Sequence, residues 1–169
     1  MTGPSPPKSD VHDRAPAAAR HSMARLAAVQ ALYQIELTGT GVAQVLEEFP
    51  RIQMDEEEDG TGSNPAVARP RMFQELVRGV VNRREELDGL LAPLISGGWS
   101  LDRLEIILRC ILATAAFELV ARKNVPARVA ITEYVDLAHA FYAGGEPAMV
   151  NGVLDRLARD VRPGELAER

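Results

Sequence analysis

Apolar residues at helical spacing are the feature that most limits what this chain can fold into. In the segment "WSLDRLEIILRCILATAAFELVARKN" they recur every three or four positions, at Leu101, Leu104, Leu108, Ile111, Ala115 and Leu119. This interval places them on one face of a helix. No segment shows the strict alternation of apolar and polar residues that indicates a half-buried strand. The sequence therefore predicts an all-α fold of six to seven helices with short connections.

Proline and glycine residues predict the ends of the helices in the first half of the chain. Pro16 opens the first helix and Gly39 ends it, because proline suits the first helical turn and glycine suits the C-terminal cap. The apolar face of this helix is predicted to comprise Leu26, Val29, Tyr33 and Leu37, with Leu32 and Ile35 beside it. A second, short helix is expected to end at Pro50, and a third begins near Pro70.

The second half of the chain carries similar helix signals. Ser100 is predicted to cap the N-terminus of the central helix, since its hydroxyl can accept a hydrogen bond from the first turn. Pro126 precedes the next helix, which Gly144 is expected to end. Pro147 then starts the last helix.

Four regions of the chain differ in composition, and they predict its domain organisation. Residues 1–15 are rich in proline, serine and charge and are predicted to form a disordered tail. Residues 16–96 are expected to form an N-terminal helical subdomain with an acidic loop at 51–68, and residues 97–169 a C-terminal one. Both halves are too small to bury much alone, so we expect one compact domain of two packed helical subdomains.

Cysteine usage and hydropathy exclude several classes of protein. Cys110 is the only cysteine, so the chain holds no internal disulfide and no multi-cysteine zinc site, and we expect a small buried hydrophobe there. No apolar run approaches the ~20 residues of a membrane span. The N-terminus lacks the apolar region of a signal peptide. These features predict a cytoplasmic protein.

Charge is distributed unevenly along the chain. The formal net charge is −5, which argues against nonspecific nucleic-acid binding. However, acids dominate residues 47–59, and arginines dominate residues 69–84. A local basic face can therefore coexist with an acidic total. The acidic run is predicted to be a solvated loop; a metal site is the alternative, although the run lacks the spacing of a calcium loop.

The sequence contains no recognisable catalytic motif. It has neither a glycine-rich phosphate loop nor the Gly-x-Ser-x-Gly turn of hydrolases. His12, His21 and His139 are too dispersed to suggest a metal triad, and Glu133 with Asp136 is a common solvated pair. We therefore predict a binding protein without enzymatic activity, cofactor or metal.

The polar face of the first helix carries groups that suit RNA. These are Arg20, His21, Arg25, Gln30 and Gln34, with Tyr33 alongside. Arginine pairs with phosphate, glutamine can bond to base edges, and tyrosine offers a stacking surface. The alternative is an ordinary solvated face with Tyr33 in the core. Arg25 lies off the predicted apolar stripe, so its removal is expected to open no core cavity.

The dipeptide Asn151-Gly152 is unusual because it lies inside a segment with helical spacing. Glycine in a helix interior costs about 1 kcal/mol relative to alanine, so something must come close to the backbone there. A neighbouring helix and a ligand are both possible. We predict helix packing at Gly152 and RNA contact at Asn151, since adjacent helical positions point about 100° apart.

Four blocks of sequence, taken in order, carry a resemblance to a known family. They are "ARHSMARLAAVQALYQIELTG", "FQELVRGVVNRREELDGLLAPLI", "WSLDRLEIILRCILATAAFEL", and "VPARVAITEYVDLAHAF" followed by "MVNGVLDRLAR". Together they span nearly everything after residue 18 and resemble the NusB family of bacterial transcription antitermination factors. The resemblance implies an all-helical fold that binds boxA RNA together with NusE, a ribosomal protein. It also implies an antitermination complex with RNA polymerase on ribosomal RNA operons.

The resemblance also implies which residues bind each partner. For RNA they are Arg20, His21, Arg25, Gln30, Tyr33, Gln34, Met149 and Asn151. For the protein partner they are Asp102, Arg103, Glu105 and Arg109 on the central helix.

The chain departs from the family pattern in its N-terminal arginine cluster and elsewhere. His21, Ser22 and Met23 stand where more arginine is usual, Met149 replaces a phenylalanine, and Thr132 replaces an asparagine. We therefore expect weak RNA binding that NusE tightens. Two other functions remain open: an RNA-binding domain like that of ribosomal RNA cytosine methyltransferases, and a homo-oligomerisation module. The sequence also leaves open a homodimer.

Overall fold

The computed structural model describes the backbone of residues 17–56 and 69–166. Within these two ranges it contains seven α-helices and no strand, which confirms the predicted all-α fold. The helices are α1 Ala17–Thr38, α2 Val42–Glu56, α3 Pro70–Asn82, α4 Arg84–Leu91, α5 Ile106–Ala121, α6 Ala127–Phe141 and α7 Glu146–Val161. Two short 3-10 turns, Ala92–Leu94 and Leu101–Arg103, join α4 to α5. The predicted tail and most of the acidic loop lie outside the described residues.

Helix α5 is the centre of the molecule. It packs against α1, α3 and α4, which precede it in the sequence, and against α6 and α7, which follow it. Every residue from 110 to 119 is buried. A helix that is apolar around its whole circumference is typical of a core position, so the stripe seen in the sequence is only part of its buried surface. The division into two subdomains near Gly97-Gly98 stays a prediction.

Helix α1 buries a different face from the one predicted. Of the four expected apolar residues, Val29 is buried, but Tyr33 is 37% exposed and Leu37 is 59% exposed. The buried face is formed chiefly by alanines and one leucine: Ala24, Ala27, Ala28, Ala31 and Leu32. Small side chains let α1 pack closely against α3 and α5. The larger apolar residues of its C-terminal half are therefore left at the surface.

Several predicted helix ends are confirmed. Gly39 has a φ of 71°, and its N–H donates to the Ile35 carbonyl at 2.9 Å, as a glycine cap requires. Helix α3 begins at Pro70, and Pro147 lies in the first turn of α7.

Other predicted ends are wrong. Helix α2 does not end at Pro50 but continues to Glu56. The loop expected from residue 51 is therefore helical up to residue 56. Helix α5 begins at Ile106, and Ser100 makes no side-chain cap; the backbone is extended at Leu104, whose side chain is buried. Helix α6 ends at Phe141, before Gly144.

Cys110 is fully buried on α5, as expected from its place in an apolar stripe. Burial raises the pKa of its thiol from an ordinary value of 9.0 to about 12. At alkaline pH the folded protein therefore keeps a proton that the unfolded chain loses. Stability that is fully present below about pH 9 is lost as the pH rises towards about 12.

This linkage makes a testable prediction for Cys110→Ala. The free energy of unfolding of the variant should fall less steeply with pH than that of the unchanged protein across this alkaline window. Urea unfolding at a series of pH values measures the slope, and comparing the two proteins removes the contribution of tyrosine and lysine residues that titrate in the same range. Identical slopes would contradict the prediction.

None of the helices within residues 17–56 and 69–166 is long and apolar enough to cross a membrane.

Candidate RNA and partner interface

The first part of the site is a basic groove at the start of α1. Its lining includes His21, Arg69, Arg71 and Arg122, with one acid, Glu75, and it encloses about 460 Å³. Burial lowers the pKa of His21, and nearby Arg69, Arg25, Arg122 and Arg20 lower it further. His21 therefore favours its neutral form among several guanidinium groups. The groove is a local concentration of positive charge on an acidic protein.

Arg25 occupies a structural position, contrary to expectation. Its side chain is 4% exposed. Its Nε donates to Glu118 Oε2 at 2.7 Å, and its Nη2 donates to Glu118 Oε1 at 3.0 Å. The Tyr134 hydroxyl donates to the same carboxylate, and Arg25 Nη1 lies 3.7 Å from Glu133 Oε2. This buried cluster joins α1 to α5 and α6, so the prediction that loss of Arg25 leaves the core intact is wrong.

The second part of the site is an apolar groove near the C-terminal half of α1. Its lining comprises Gln30 and Tyr33 from α1, Phe141 from the end of α6, and Glu105, Ile106 and Ile107 at the start of α5. Phe141 is 43% exposed. Exposed aromatic residues around an apolar groove are typical of protein-binding surfaces.

The structure therefore separates the residues predicted on α1: His21 lines the basic groove, whereas Gln30 and Tyr33 line the apolar groove. Arg20 and His21 lie at its first turns, whereas Gln30, Tyr33 and Gln34 lie in its second half. Twelve residues separate His21 from Tyr33, which corresponds to about 18 Å along a helix. One small ligand cannot contact both, but an extended RNA or two different partners can.

Met149 and Asn151 face different sides of α7. Met149 lines a groove with Trp99, Gly145 and Gly152. Asn151 is exposed and lines a separate groove between α6 and α7, which Arg128 also lines. Positions two apart in a helix point about 200° apart, so this separation follows from helix geometry.

The predicted partner residues lie at the start of the central helix rather than along it. Asp102 and Arg103 are exposed in the 3-10 turn that precedes α5. Glu105 is the residue before α5 and accepts a hydrogen bond from the Tyr142 hydroxyl at 3.0 Å. Burial, together with this bond, raises the pKa of Tyr142. Arg109 Nη2 lies 3.9 Å from Glu36 Oε2, on α1.

Several residues of these grooves were missed by reasoning from the sequence. Arg69, Arg71 and Arg122 join His21 only through tertiary packing, although the arginine-rich stretch at 69–84 was a signal of a basic face. No local pattern indicates that Phe141 is exposed. The sequence around Trp99 did not indicate that it lines a groove; it showed only that Trp99 precedes Ser100.

The prediction that Gly152 serves helix packing is wrong. A methyl group built at this position would meet only Arg156 Nη2, at an ordinary contact distance of 3.7 Å.

Gly152→Ala is therefore expected to raise the free energy of unfolding by up to about 1 kcal/mol through helix propensity. Chemical denaturation measures this change. Asn151→Ala, at the neighbouring exposed position, should alter stability little. A clear loss of stability in Gly152→Ala would restore the packing explanation.

The fold and its surface define an all-helical domain with a basic groove and an apolar groove on opposite halves of one helix. A family model described as the NusB family matches residues 22–159. The transcription antitermination protein NusB of Nitrobacter hamburgensis is 47% identical over 148 residues, covering 88% of this chain and 91% of the relative. That of Bradyrhizobium sp. (strain BTAi1) is 45% identical over 150 residues, covering 89% and 88%. The chain belongs to the NusB family.

Solved structures of the same family share the fold. NusB from T. maritima matches with a TM-score of 0.67 and 29% identity, over 90% of this chain and 96% of that one. A chain from the complex of antitermination factors NusB and NusE with double-stranded RNA matches with a TM-score of 0.63 and 26% identity. That match covers 84% of this chain and 98% of the solved one.

Proposed function

We propose that this protein is a transcription antitermination factor that binds boxA RNA together with the ribosomal protein NusE. The observation that carries the proposal is the presence of a basic groove and a separate apolar groove with exposed aromatic residues on one chain. The relative solved with NusE and RNA supports the same pair of partners. On this proposal the protein works by binding, without catalysis.

The basic groove and the first turns of α1 suit the RNA. Guanidinium groups neutralise phosphates and release bound counterions, which gives a salt-dependent affinity. Arg20 and His21 remain our proposed RNA contacts at this end. Met149 and Asn151 are proposed contacts for other parts of an RNA that extends across the surface, since they line separate grooves. Arg25 can reach RNA only after its buried pair with Glu118 is broken, so we assign its main effect to stability.

The apolar groove suits the protein partner. Tyr33 and Phe141 offer aromatic surface, and Glu105, Asp102 and Arg103 provide charged groups at its edge and in the preceding turn. Burial of aromatic side chains supplies much of the energy of protein interfaces, and charged groups around them favour one partner over another. We propose that NusE covers this groove. We also propose that Gln30, Gln34 and Arg109, on α1 and α5, contact NusE or the RNA.

A filter-binding assay with boxA RNA, with and without NusE, tests the proposal. We expect weak binding by the chain alone, because the net charge is −5 and the arginine cluster in the first turns of α1 is thin. NusE should tighten it, and affinity should fall as salt rises. Tyr33→Ala and Phe141→Ala should remove the effect of NusE without lowering the affinity of the isolated chain for RNA. Absence of RNA binding in the presence of NusE would refute the proposal.

A further inference from the structure

Two arginines outside the first helix complete the basic groove beside His21. Arg69 precedes α3 and Arg71 lies in its first turn, on either side of Pro70. Both line the groove with His21 and Arg122, although they lie far from α1 in the sequence. The tertiary fold therefore adds two cationic groups to the end of α1 where the sequence carries His21, Ser22 and Met23.

The guanidinium groups of the groove differ in whether an acid already neutralises them. Arg122 is paired with Glu75 across the groove and also lies 3.7 Å from Glu118. Arg69 and Arg71 form no ion pair with any residue that the structure describes. The Nε atoms of Arg69 and Arg20 are buried and have no hydrogen-bond partner within the same residues. A buried donor without a partner costs free energy that a bound anion would recover.

The start of α3 adds to the attraction for an anion. The helix has 13 residues, no acid in its first turn and no side chain that caps its N-terminus. The N-terminus of a helix carries a partial positive charge, which an acidic side chain usually balances. Here the neighbouring side chains are arginines, so the helix end and the side chains are both positive and both attract an anion.

We propose that the groove lined by His21, Arg69, Arg71 and Arg122 binds a backbone phosphate of RNA, with Arg69 and Arg71 supplying the charge that the start of α1 lacks. This inference rests on the proposed RNA-binding function and names the residues that hold the phosphate. A backbone phosphate fits better than a small metabolite because the groove shares part of its lining with a second one. His21 and Arg122 line both, and the second reaches Asn124 and Val129.

The test compares Arg71→Ala with Arg78→Ala in binding to boxA RNA in the presence of NusE. Both residues are exposed and lie on α3, and Arg78 is two turns further along, outside the groove. Arg71→Ala should weaken binding about tenfold, the scale of one charge-assisted hydrogen bond. It should also lower the slope of log affinity against log salt by roughly 0.7, the loss of one phosphate contact on a single strand. Arg78→Ala should change neither quantity appreciably.

Two further variants sharpen the test. Arg71→Lys keeps the charge, so it should retain most of the salt slope while losing part of the affinity. The double change of Arg69 and Arg71 to alanine should weaken RNA binding more than either single change does. As a control for folding, the melting temperature of Arg71→Ala should equal that of the unchanged protein.

The outcomes separate this inference from the function on which it rests. If the unchanged protein binds RNA with NusE but the Arg71→Ala and double variants bind equally well with the same salt slope, the inference is overturned and the function stands. Equal losses in Arg71→Ala and Arg78→Ala would also overturn it, because they would indicate a general effect of charge. If the unchanged protein binds no RNA, both fail.

Discussion

Gly79→Ala is expected to lower the free energy of unfolding by about 2 kcal/mol or more, because overpacking a core costs roughly 1–3 kcal/mol and here the overlap is severe. A methyl group at Gly79 would lie 2.2 Å from Cε2 and Cζ of Phe117. The Phe117 ring is 5% exposed, so it has little room to move away. The clash should outweigh the gain of about 1 kcal/mol in helix propensity.

Gly89→Ala is the matched control for this substitution. Gly89 lies inside α4, and a methyl group there would meet nothing within 4 Å. The same change of residue should therefore stabilise the protein, by up to about 1 kcal/mol. Combining Gly79→Ala with Phe117→Leu should recover part of the lost stability, since the smaller side chain removes the clash. Urea denaturation of the four proteins measures these effects, and a neutral or stabilising Gly79→Ala would show that α3 and α5 can separate at little cost.

Arg25→Ala is expected to destabilise the protein by about 3–5 kcal/mol, the usual cost of removing one partner from a buried ion pair. The Glu118 side chain is fully buried, and Arg25 holds its carboxylate through two hydrogen bonds. Tyr134 still donates to that carboxylate in the variant and Arg122 Nε stays 3.7 Å from it, but neither group replaces the two hydrogen bonds from Arg25. Thermal and chemical denaturation measure the loss.

Two comparisons distinguish this cause from a simple loss of packing. Glu118→Gln in the Arg25→Ala background removes the buried charge that Arg25 had held, so it should recover part of the stability. Arg83→Ala breaks an exposed pair with Glu86 and should change melting little, since solvent screens such pairs. Failure of Glu118→Gln to recover any stability would favour lost packing as the cause. Weakened RNA binding by Arg25→Ala would then not identify an RNA contact unless the variant is shown to be folded.

The two glycines illustrate how far local patterns reach. Gly152 lies beside Asn151 in a segment with helical spacing, and this position predicted close packing of a neighbouring helix. Gly79 has the same helical context, yet only Gly79 meets a neighbouring ring. The local sequence around each shows that the backbone is helical. It does not show which helix crosses it, because that depends on residues 38 positions away in the chain.

Helix existence, several helix ends and the family were determined by the sequence alone. Apolar spacing, Gly39, Pro70 and Pro147 act through interactions within a few residues, so they can be recognised without knowing the fold. Four blocks of the sequence, in order, resemble the NusB family, and the family model and the relatives confirm that the chain belongs to it.

Tertiary structure alone decided which faces are buried and which charges meet. Alanines of α1 pack inward, so Tyr33 and Leu37 are exposed although their spacing resembles a core stripe. Arg25 pairs with Glu118, which lies 93 positions away in the sequence. Arg69 comes to lie beside His21 from across the acidic stretch. Burial and electrostatic pairing depend on distances between elements, and helical periodicity contains no information about those distances.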